Sequence, residues 1–72
     1  MDKTVVVTVP LELCGIFNSG SPITVALPTE HGLVPGDVVL WDCGGEHSGR
    51  ARVLHSSPSD EVDKANYTIE KL

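Results

Sequence analysis

Apolar and polar residues alternate along most of this chain, and that two-residue period predicts strands nearly from end to end. In TVVVTV (residues 4–9) it puts Val5, Val7 and Val9 on one face, and the β-branched side chains favour extended backbone. Pro10 cannot donate to a ladder, so it ends this run or marks a sheet edge. LELCGIF (11–17) reads as a second strand, with Leu11, Leu13 and Phe17 together and a bulge at Gly15. NSGSP (18–22) is a turn; ITVAL (23–27) then points Ile23, Val25 and Leu27 inward, and Pro28 closes it. DVVLW (37–41) is almost continuously apolar, as expected of a strand buried on both faces. After the glycine turn CGGEHSG (43–49), RARVLH (50–55) sets Ala51 and Val53 inward, with Arg50 and Arg52 outward. SSPSDEVDKA (56–65) reads as a polar loop, and NYTIEKL (66–72) as a last strand with Tyr67 and Ile69 on one face.

No apolar period of 3.6 lasts for the ten or so residues that identify a helix. The expected fold is therefore all-β: a small barrel or sandwich of about five or six strands, SH3-like in size, formed by residues 1–72 as one domain. At 72 residues only about 60% of the unfolded chain's surface is buried, so the core is marginal.

Charge narrows the range of partners. Six acids stand against Lys3 alone in residues 1–49, while four acids and four bases balance in 50–72, for a net charge of −5. Phosphate binding needs clustered Lys and Arg, so no direct nucleic-acid contact is expected. An acidic surface that mimics nucleic acid, as in a small inhibitor of a host nucleic-acid enzyme, remains an alternative. No apolar run approaches the roughly 18 residues of a membrane span, and the first residues do not resemble a signal peptide. A soluble protein made in a reducing cytoplasm is the expectation. Cys14 and Cys43 are too few for a disulfide framework, although they permit one bridge.

The stretch EHGLVPGDVVLWDCGG (30–45) is dense in turn chemistry. Gly32 and Gly36 are free to take positive φ, Pro35 presets the turn, and Leu33 can fold back as an apolar plug. Asp37 can accept backbone N–H bonds, and His31 is assigned to the same turn. The order His31-Gly32-Leu33, Gly36-Asp37, Val39, Gly49, Val53 and Tyr67-Thr68-Ile69 resembles a β module of bacteriophage virion proteins. In that module an HGL..GD.V turn precedes a hairpin, and a Tyr-Thr-hydrophobic strand closes the unit. The resemblance covers about residues 23–71. It implies a non-enzymatic structural protein of the virion (capsid decoration, head–tail connector or tail component) that acts through contacts with copies of itself or other virion proteins. Val34-Pro35 and Trp41-Asp42-Cys43 depart from the module. The string GDVVLW also resembles SH3-like and Tudor-like barrels, which implies a protein-binding adaptor, with Trp41, Arg50 and Arg52 as the residues that would meet a partner.

Reactive residues are sparse. Cys43 and His47 with Cys14, His31 and His55 are the only candidate zinc ligands, and no C-x-x-C pair anchors them, so no metal or cofactor is expected. A Cys43–His47 nucleophilic pair would still need an orienting group and an oxyanion site, and no catalytic residue is assigned. Phe17, Trp41 and Tyr67 are read as core rather than as an aromatic cage. The uncharged run between Lys3 and Glu12 is an aggregation hazard unless something covers it, which makes Val5, Val7 and Val9 candidates for a subunit contact.

Overall fold

A computed structural model of the chain describes residues 2–45 and 47–72, with side chains from residue 5 onward. Five strands follow in the order β1 (Asp2–Thr8), β2 (Ile23–Pro28), β3 (Val38–Asp42), β4 (Ser48–Pro58) and β5 (Lys64–Lys71). A helix, α1 (Leu11–Asn18), lies between β1 and β2, and a single 3-10 turn, Thr29–His31, follows β2. The strands form one sheet in the order β1-β3-β4-β5-β2, curled into a half-barrel. β1 pairs with β3 in parallel, and the other three ladders are antiparallel. The all-β expectation holds.

Alternation decides which side chains enter the concave face. Val7 lies opposite Trp41, and Trp41 opposite Gly49. A second row joins Val39 to Ala51, and a third joins Val53, Ile69 and Ile23 across β4, β5 and β2. All of these but the exposed Gly49, with Val9, Phe17, Val25, Leu33, Cys43 and Tyr67, form one buried cluster. All three aromatic rings are inside, as read from the sequence.

Four sequence readings are corrected. Residues 11–17 form a helix, not a strand: β1 and β2 are consecutive in the chain but occupy opposite edges of the sheet, so the link must cross it. In helical geometry Leu13, Cys14 and Phe17 share a face and turn inward, while Leu11 and Ile16 face solvent. β3 is buried on one face only, because Leu40 between Val39 and Trp41 points to the solvated convex side. β4 runs on to Pro58 and β5 starts at Lys64, so the expected loop 56–65 shrinks to residues 59–63. β4 also carries a register shift between Val53 and His55, a bulge of the kind that bends a strand and helps a sheet curl. Finally, Val7 and Val9 are 1% and 2% exposed and belong to the core, so they are not contact residues. Val5 packs against the same core.

The two cysteines are joined as a Cys14–Cys43 disulfide, with a Cα–Cα distance of 6.0 Å that suits such a bridge. It ties α1 to the turn that follows β3. Among the described residues, no helix is long and apolar enough to cross a membrane.

The placement of β1 predicts a sharp contrast between neighbours. Val7→Ala removes two buried methyl groups and leaves a cavity, for a loss of about 2 kcal/mol. Val6→Ala, on the convex side, changes stability by less than about 0.5 kcal/mol. Urea unfolding followed by far-UV circular dichroism measures both; equal losses would contradict the assignment of faces.

Candidate functional site

The turn between β2 and β3 is built as the residue types require. Gly32 takes a left-handed φ of 62° and its N–H donates to Thr29 O at 3.0 Å, ending the 3-10 turn. Leu33 folds into the core. Asp37, the buried polar residue of the described chain, accepts from Val34 N–H through Oδ2 at 2.9 Å. Its own N–H donates to Val34 O at 3.0 Å, which closes a tight loop over Pro35 and Gly36. Gly36, at φ 97°, donates to Val53 O at 2.8 Å, and Val53 N–H donates to Asp37 O at 2.8 Å. The HGL..GD.V stretch is therefore a clamp between the turn and β4. His31 is half-buried at the end of the 3-10 turn.

The candidate chemistry does not converge. Cys14 and Cys43 are bonded to each other and so offer no thiolate to a metal or substrate. Among the described residues, no group of three or more His, Cys, Asp or Glu is arranged to hold a metal ion. His55 Nε2 lies 3.1 Å from Thr68 Oγ1, which lies 3.0 Å from Thr24 Oγ1, so His55 belongs to a polar row across β4, β5 and β2 on the convex side. His47 contributes its carbonyl to the turn after β3, accepting from Cys43 N–H at 2.9 Å.

What stands out is the β1 side of the convex face. Register places Val6 beside Leu40 and Leu40 beside Arg50, with Val38 beside Arg52 in the next row. Val6 and Leu40 are 54% and 42% exposed. A shallow cavity of about 340 Å³ opens here, bounded by Val6, Leu40, Asp42, Ser48, Gly49 and Arg50. Trp41 also borders it, yet the residue is only 2% exposed and its ring packs on Phe17, so the indole is not a contact surface. Its Nε1 is buried without a hydrogen-bond partner, and a Cβ on Gly49 would sit 3.3 Å from it. Gly49 is thus the residue that leaves room for the indole.

β1 also carries an open backbone edge. Val9 N–H donates to Asp42 O at 2.9 Å. Peptide groups alternate along extended chain, so the N–H and C=O of Val6 and Thr8 point away from β3. Near residues 3–5 the pairing is irregular: Asp2 matches Val38 while Val6 matches Leu40. The bulge blunts that end and leaves residues 6–8 as the usable edge. The sequence pointed to residues 4–9, but not to Val6 or Leu40. The absence of charge was the signal; which valines face out depends on the register.

Against protein-family models, curated proteins and solved structures, the chain has no match.

The Asp37 carboxylate should matter as a turn closer. Asp37→Ala leaves Val34 N–H without its acceptor in a part-buried site and costs about 2 kcal/mol, whereas Asp37→Asn, which keeps an acceptor oxygen, costs about half as much or less. Chemical denaturation of the two variants checks this. An Asp37→Ala chain as stable as the parent would show that the clamp is not needed.

Proposed function

We propose that the chain is a non-enzymatic assembly protein of a bacteriophage virion, acting through contacts with copies of itself along β1. The observation that carries this reading is the open, uncharged edge at residues 6–8, flanked on the convex face by exposed Val6 and Leu40. The other support is the run of residues 31–37, 39, 49, 53 and 67–69, which resembles the virion module and here clamps the sheet rather than forming a reactive centre.

A second copy suits this edge for an electrostatic reason. The chain carries ten acids against five bases, so two copies repel over most of their surfaces. Residues 4–11 hold no charge, and like-charged chains meet there at least cost. Strand addition supplies backbone hydrogen bonds to Val6 and Thr8, and Val6 adds apolar burial beside Leu40. It also gives a marginal core the stability that association brings. The shallow cavity between Leu40 and Arg50 favours a second reading, an SH3-like adaptor that takes an apolar side chain of a peptide there.

Sedimentation across a concentration series tests the first reading. The expected result is reversible association of the parent chain. Val6→Lys, folded by circular dichroism, should move the association midpoint to at least about tenfold higher concentration, since an edge lysine opposes strand addition. Arg52→Ala should leave it in place. A parent chain that stays monomeric at all concentrations, or a Val6→Lys chain that associates like the parent, contradicts self-contact along β1. The virion assignment further expects capsid or tail genes beside this gene; metabolic neighbours would count against it.

A further inference from the structure

We infer that the Cys14–Cys43 bond is a redox-controlled clamp on α1: its reduction releases the helix while the five-stranded sheet stays folded. The inference rests on the fold alone and does not depend on the virion reading.

α1 is poorly equipped to persist unaided. It has eight residues, below the length at which an isolated helix is stable even with a good sequence. Its N-cap is Pro10, with no side-chain hydrogen bond, and no basic residue sits in its last turn. Gly15 occupies its interior, where it weakens a helix. Phe17 is its one fully buried side chain, while Leu11 and Ile16 are 78% and 50% exposed. What holds it is Phe17 in the core with Leu13 packed beside it, one exposed hydrogen bond from Lys71 Nζ to Asn18 O at 3.0 Å, and the bridge from Cys14.

The sheet does not share this dependence. Four ladders, two of them interrupted by a bulge, join its strands without the bridge, and the Cys43 end is fixed independently by Val9 N–H to Asp42 O and by Cys43 N–H to His47 O, both at 2.9 Å. The bridge spans a sequence separation of 29 residues, so cutting it restores considerable freedom to the segment that includes α1.

The chemistry is thiol–disulfide exchange with a thiol reductant. A thiolate attacks Cys14 Sγ, the half-buried and more accessible sulfur, and the Cys43 sulfur leaves as thiolate and takes a proton. A second reductant thiol resolves the mixed disulfide. The sum is one protein disulfide and two reductant thiols converted to two protein thiols and one reductant disulfide. A reducing compartment then favours the open form, and an oxidising one closes α1 over Trp41.

Hydrogen exchange read by mass spectrometry on the full chain, with and without dithiothreitol, tests the clamp. Alkylation should find two thiols only after reduction. Residues 11–18 should then exchange at least about tenfold faster while β4 and β5 keep their protection. Cys14→Ser without reductant should show the same pattern. Loss of protection in β4 and β5 together with α1, in either the reduced chain or the variant, overturns the inference, because the bridge then holds the whole fold. Unchanged exchange of α1, or two reactive thiols before reduction, overturns it as well.

Discussion

Phe17 meets Trp41 edge to face, with ring centroids 5.0 Å apart and an interplanar angle of 89°, and the fold is organised around that contact. A half-barrel of five strands leaves its concave side open, and a chain of 72 residues has little with which to cover it. The cover is α1, and its fully buried component is Phe17. The ring lands on the largest buried side chain of β3, which itself fits because Gly49 opposite it has no side chain. Pairs of this geometry contribute about 0.5–1.5 kcal/mol beyond the area they bury, a sizeable share of a small domain's net stability. Each of the other features of this end of the molecule serves the same closure. The disulfide fixes α1 beside the β3 turn, and Val7 of β1 and Val9 just beyond it fill the floor.

Most of the sheet was legible because alternation is a local signal. Ile23, Val25, Val39, Trp41, Ala51, Val53, Tyr67 and Ile69 enter the core at two-residue spacing. The turn at residues 31–37 was legible for a similar reason: Gly32, Leu33, Gly36 and Asp37 each perform a task dictated by residue type. The helix was not, because eight residues give barely two turns and Leu11, Leu13 and Phe17 satisfy a strand period, while only Leu13 and Phe17, four apart, fit a helical face. Chain topology settles the choice, since β1 and β2 lie at opposite edges.

The candidate contact was half legible for a related reason. A stretch without charge between Lys3 and Glu12 announces a need for partners, and most of that need is met inside the monomer by Val7 and Val9. Only the outward residues, Val6 and Thr8, with their backbone N–H and C=O groups, are left over. Which residue faces out follows from the parallel pairing with β3, a contact between segments more than thirty residues apart that no local pattern encodes. The disulfide was hidden in the same way, since Cys14 faces Cys43 only if residues 11–18 are helical.

If closure of the half-barrel rests on the aromatic pair, the two rings must be energetically coupled and not merely both buried. A double-mutant cycle with Phe17→Leu, Trp41→Phe and the combined variant, measured by chemical denaturation, isolates that coupling. A coupling of about 0.5–1.5 kcal/mol is expected, with the double variant losing less than the sum of the single losses. Strictly additive losses would contradict the account, because Phe17 and Trp41 would then stabilise the fold independently and the lid would not depend on their contact.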